Sequence, residues 1–163
     1  MDKKMFCFQC EQTVGCAGCT GNSGVCGKKA DTARLQDELT GALIGLARAV
    51  DSTTAISKRT GQVIIEGLFT TVTNVNFDDA SIENMIQKVR AEKERLVPDC
   101  SKCQSPCVKT DEYDMQQLWN ANEDIRSLKS LILFGIRGMA AYAYHAYVLN
   151  YEDTEVNRFF CEA

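Results

Sequence analysis

The chain has 163 residues, of which 45% are apolar and only two are proline, so it reads as a folded helical protein with a core that does not depend on metal. Lysine and arginine number 18 against 22 acidic residues, a net charge of −4, and no basic tract or arginine–aromatic interleaving argues for nucleic acid. The longest apolar run, Leu131 to Tyr144, contains Arg137 and is too short to span a membrane.

Met1-Asp2-Lys3-Lys4 leads into polar residues and cysteines with no apolar segment of a secretory signal, which places the chain in the cytoplasm as an expectation. Residues 5–29 hold Cys7, Cys10, Cys16, Cys19 and Cys26, spaced C-x2-C-x5-C-x2-C-x6-C with glycines between. Glycine lets a backbone come close to a bound object. The pattern therefore reads as a loop wrapping thiolates around something. An iron–sulfur cluster and a structural zinc both suit soft donors at this spacing. Disulfides need an oxidising compartment, and nine cysteines, an odd number, fit them least. Phe6, Phe8 and Val25 beside the candidate ligands promise the dry surroundings that tune a redox centre.

From Asp31 to Val50, Leu35, Leu39, Ala42, Leu43 and Leu46 recur at three- and four-residue spacing, an amphipathic helix. Gly41 and Gly45 on one side cost helix propensity and point to close approach of a neighbouring helix or loop. A polar joint is expected over 51–60 and a second helix over 62–73. A third, capped by Asp78 or Asp79, should reach Val97, with Lys88, Arg90, Glu92, Lys93, Glu94 and Arg95 as its solvated face. Together these make up a helical stretch over 31–97.

Pro98 stops that helix, and 98–114 is a second cysteine loop in which Cys100, Cys103 and Cys107 form C-x2-C-x3-C. One thiolate short of a four-ligand site, it would need Cys16 or Cys161 to complete a second cluster or zinc. From 122 to 163 the chain reads as a long central helix, 122–150, followed by a terminal helical piece. The sole histidine, His145, lies late in the long helix, where core or interface hydrogen bonding is the more ordinary role. Architecture is expected to be all-α: an antiparallel three-helix bundle in a single domain, 1–163, with the cysteine-rich cluster-binding loop capping one end.

Met-Phe-Cys-Phe-Gln-Cys-Glu-Gln-Thr at 5–13, Gly-Cys-Thr at 18–20 and Gly-Val-Cys-Gly-Lys at 24–28 resemble the N-terminal motif of the hybrid cluster (prismane) proteins, the hydroxylamine reductases. Thr71-x-Thr-Asn-x-Asn-x-Asp-Asp79 and the segments around Asn122 and Gly138–His145 resemble the same family. The resemblance implies that Cys7, Cys10, Cys19 and Cys26 ligate a [4Fe–4S] cluster, or [2Fe–2S] as in some members, with Cys16 as an extra thiol. It implies the N-terminal helical domain of a short-insertion branch lacking a second helical bundle. The ligands of the hybrid cluster, where hydroxylamine or nitric oxide is reduced, lie far beyond this length. Expected function is therefore electron transfer to C-terminal hybrid-cluster domains or from a donor protein, with no reductase activity alone. A homodimer would be a further way to cover exposed apolar surface. The alternative from the residues themselves is a zinc-stabilised helical interaction module.

Overall fold

The computed structural model describes residues 5–10, 18–50, 56–72, 76–97 and 112–163. Its helices are α1 (Ala30–Ala49), α2 (Lys58–Thr70), α3 (Asp79–Leu96), α4 (Met115–Trp119), α5 (Glu123–Val148) and α6 (Thr154–Glu162). The all-α expectation holds among the described residues, but the three-helix bundle does not: there are six helices. Caps explain the difference. The Ser57 side chain accepts from the Thr60 N–H at 3.1 Å and starts α2 at Lys58, inside the stretch read as a polar joint. Asp153 caps α6, the terminal helical piece expected after the long helix, whereas Asp114 caps α4, a helix of five residues in which periodicity has too few positions to register. The distinct cluster-binding loop is not observed either. Among the described residues, the cysteine segment consists of extended pieces joined by one isolated antiparallel bridge, Cys7 to Cys19.

Helix α1 lies chiefly against α3, and α2 against α5, while α2 also touches α1, α3 and α6. The core follows from that arrangement. Leu35, Leu39, Leu43 and Leu46 of α1 meet Val63, Ile64 and Leu68 of α2, Ile82, Met85, Ile86 and Val89 of α3, and Phe160 of α6. Helix α2 thus occupies the middle of the bundle. The longest helix, α5, buries only Arg137 and Ala140. Ile125, Leu128, Leu131, Ile132, Met139 and Tyr142 of α5 are exposed, Tyr142 by 82%.

Two charged positions depart from the sequence reading. Glu92, expected on a solvated face, is fully buried. It accepts from Thr60 Oγ1 at 2.8 Å, from Arg95 at 2.6 Å and from Arg59 Nε at 2.9 Å, tying the start of α2 to the end of α3. Arg90 spans Glu38 of α1 (3.0 Å) and both oxygens of Glu112 (2.7 Å each). That fork fastens the segment before α4 to α1 and α3. At the same place Gly41 makes its expected close approach: the Tyr113 N–H donates to the Gly41 carbonyl at 3.1 Å.

Candidate metal centre

The four family-type cysteines lie in the described residues, and the structure brings two of them side by side. The Cys7 N–H donates to the Cys19 carbonyl at 3.0 Å, and the Cys19 N–H returns a bond to the Cys7 carbonyl at 2.7 Å. Both are buried, in a small cluster with Met5 and Ala33. Gly18 makes the approach to Cys19 at φ 95°, a left-handed angle that favours glycine, and its α-carbon faces the Phe6 ring. Cys26 is exposed, on a turn closed by the Gly27 N–H to the Gly24 carbonyl at 2.9 Å, with its sulfur and the Met5 methyl both against Gly24. Cys10 is half-buried. Among the described residues no three histidine, cysteine or carboxylate side chains gather as a ready metal site. Cys16 and the whole Cys100, Cys103, Cys107 region lie outside the described residues. Cys161 lies against the helical core, its thiol pushed up to about 11 by burial.

The phenylalanines flanking Cys7 pack on a third ring. Phe6 and Phe8 lie 5.6 Å apart and both meet Trp119 of α4, at 5.0 and 4.9 Å, under the Arg126 guanidinium. Val25 is 61% exposed and contributes no shelter. His145 is exposed on α5 beside Phe69.

Sequence reasoning missed a polar network under the cysteine bridge. Lys28, 3% exposed, donates to Gln9 Oε1 at 3.1 Å and to Gln36 Oε1 at 2.5 Å. Gln9 in turn donates to the Ala33 carbonyl and to Asp37 Oδ1 at 2.6 Å. Gln36 reaches the Asn76 carbonyl at 2.8 Å, before α3. Deeper in, Arg137 donates to Thr71 Oγ1 (3.1 Å) and Thr40 Oγ1 (2.9 Å), and its Nη1 has no partner among the described residues. Burial pulls the Arg137 guanidinium down to about 10. A lone arginine inside the apolar run 131–144 was the available signal for that buried role. For Lys28 and Gln9 it was their place within the cysteine strings.

Burial raises the Cys7 thiol, opposed by a backbone hydrogen bond from Gln9 and the charge of Lys28. Burial also raises Asp37 from 3.8 to about 6, opposed by its bond from Gln9 and by Arg137 and Lys28. A raised carboxyl favours folding below its unfolded value, and that contribution is lost as pH climbs through about 6. Asp37→Asn should therefore stabilise the metal-free protein by about 2 kcal/mol near neutral pH and by little near pH 4, the full shift being discounted for a half-buried group. Urea unfolding at the two pH values measures this, and equal gains at both would refute it.

A family model for the Prismane/CO dehydrogenase family matches residues 5–163. The chain belongs to that family. Among prismane relatives, the hydroxylamine reductase of Clostridium perfringens (strain 13 / Type A) is 37% identical over 97% of this chain and 32% of its own length. That of Methanococcus vannielii is 37% identical over 98% of the chain and 32% of its own length. That of Thermodesulfovibrio yellowstonii is 41% identical over 98% and 33%. The chain spans about a third of the length of the curated relatives it matches. Prismane membership covers the cysteine segment and all six helices alike. The donor chemistry suits an anionic iron–sulfur group: soft thiols, two of them on segments joined by a backbone bridge, near a buried ammonium that makes no ion pair among the described residues.

Proposed function

We propose that this chain is an iron–sulfur electron-transfer domain of a hydroxylamine/nitric oxide reductase-like hybrid cluster protein. Cys7, Cys10, Cys19 and Cys26 would hold a [4Fe–4S] cluster, with [2Fe–2S] the smaller option. The observation that carries the reading is the Cys7–Cys19 bridge, which sets two members of a prismane cysteine string together beside Lys28. When bound, the cluster supplies one-electron storage. The chain's own residues hold it, shield one side with Phe6, Phe8 and Trp119, and present a backbone N–H from Gln9 to the Cys7 sulfur.

No described helix is long and apolar enough to cross a membrane. A cytoplasmic location is part of the same proposal, as are the partners: an electron-donor protein, and hybrid-cluster domains or a second copy of the chain covering α5. The exposed Ile125, Leu128, Ile132 and Met139, spaced three, four and seven apart on that helix, support a covering partner.

Iron, zinc and acid-labile sulfide content of anaerobically purified protein tests the reading. About four irons and four sulfides per chain are expected for one cubane, and Cys7→Ser with Cys19→Ser should abolish them. Stoichiometric zinc with no sulfide would replace the proposal by a zinc-stabilised interaction module. About twice the iron would give Cys100, Cys103 and Cys107 a site of their own. Hydroxylamine reduction by this chain alone is expected to be absent, and measurable turnover would contradict the electron-transfer role.

A further inference from the structure

We infer that Lys28 is a fixed counter-charge for the metal centre, a residue that ligates nothing but raises the reduction potential of the group held by the cysteines. The inference rests on the iron–sulfur reading above and goes beyond it to a specific side chain. Its basis is an electrostatic mismatch. A buried ammonium ordinarily faces a carboxylate, because removing it from water without an opposite charge costs several kcal/mol or more. Lys28 is 3% exposed, yet both acceptors it reaches among the described residues, Gln9 Oε1 and Gln36 Oε1, belong to neutral amides. The neighbouring carboxylate, Asp37, is bonded to Gln9 Nε2 rather than to the ammonium.

A second observation points the same way. Helix α1 begins two residues after Lys28, and its N-cap, Lys29, has no side-chain capping bond. The positive end of a 20-residue helix therefore lies next in sequence to the buried ammonium, offset in part by Asp31 of its first turn. The ammonium is close enough for its charge to act on the Cys7 thiol, and its acceptor Gln9 belongs to the same segment as Cys7 and Cys10. A tetrathiolate cluster carries net negative charge and gains one more unit on reduction. A nearby fixed cation stabilises the reduced state more than the oxidised one, so it raises the potential. The amide acceptors suit this role: a glutamate at position 36 would pair with the ammonium and cancel its field.

The experiment is a redox titration of the anaerobically reconstituted full chain, followed by visible absorption and electron paramagnetic resonance, with iron content measured in parallel. Lys28→Met removes the charge, Lys28→Arg keeps it, and Gln36→Glu neutralises it in place. Lys28→Met and Gln36→Glu are expected to lower the equilibrium constant for reduction at least about tenfold, a fall of about 59 mV for one electron. Lys28→Arg should stay close to the parent. Should Lys28→Met take up no iron while Lys28→Arg does, the charge is required for assembly, and Gln36→Glu reads its effect on potential. Full iron with an unchanged potential in Lys28→Met or Gln36→Glu would overturn the inference, as would Lys28→Arg shifting as far as Lys28→Met. Absence of iron and sulfide from the parent chain would instead remove the cluster reading itself.

Discussion

Gly41→Ala is expected to destabilise the protein by about 3 kcal/mol or more, lowering the melting temperature by roughly 10 °C for a chain of this size. A β-carbon at position 41 would lie 2.2 Å from the Tyr113 carbonyl oxygen, a backbone atom that cannot rotate away. Displacing Tyr113 also breaks its N–H bond to the Gly41 carbonyl. It pulls on Glu112, which Arg90 holds by both oxygens, and on Asp114, the cap of α4. The same substitution at Gly135 or Gly138 of α5 meets nothing within 4 Å. There the propensity gain acts alone, and each change should stabilise by roughly 0.5–1 kcal/mol. Thermal melts of the three variants compare them directly. A neutral or stabilising Gly41→Ala would mean that the segment before α4 does not dock on α1 as described.

Glu92→Ala should cost about 3 kcal/mol, because it removes a buried carboxylate that gathers several charge-assisted bonds. Thr60, Arg59 and Arg95 all lose the carboxylate they share, and α2 loses its tie to α3 through it. The cost stays at the low end for a buried pair, since both arginines are substantially exposed and regain water. The contribution also has a pH signature. Hydrogen bonds from Arg95, then from Thr60, hold the Glu92 carboxyl below the usual carboxylate range. Its stabilisation is present above the unfolded value of about 4.3 and is lost as pH falls through the folded one. The stability gap between the parent and Glu92→Gln should therefore close in acid. A gap that persists unchanged to about pH 3 would assign the effect to side-chain fit rather than charge.

These two positions show how legibility varied along the chain. Gly41 stood out because a glycine inside a strong amphipathic pattern has a propensity cost that close approach can offset, and the structure supplies the neighbour, Tyr113. Glu92 did not stand out. It sits in a run of alternating charges where local pairing is the ordinary explanation, and only the crossing of α2 over α3 buries it. Helix α5 failed in the opposite direction. Its apolar residues suggested a central helix, but periodicity records that a face is apolar and not which body covers it. The short helix α4 depends on a single aspartate cap, a signal too local to separate from ordinary loop residues, whereas α6 was legible behind Asp153.

The sequence by itself determined the all-α class, the positions of α1, α3 and α5 to within a residue or two, and the family, through cysteine strings whose spacing survives without any contact information. Those properties are local or periodic, so a linear reading recovers them. Tertiary structure alone decided the six-helix arrangement with α2 at its middle, the pairing of Cys7 with Cys19, and the burial of Lys28 against Gln9 and Gln36. Burial and charge compensation depend on which distant segments meet. A lysine two residues after a cysteine reads the same whether it stands in water or is buried against two amides, until the fold removes the water.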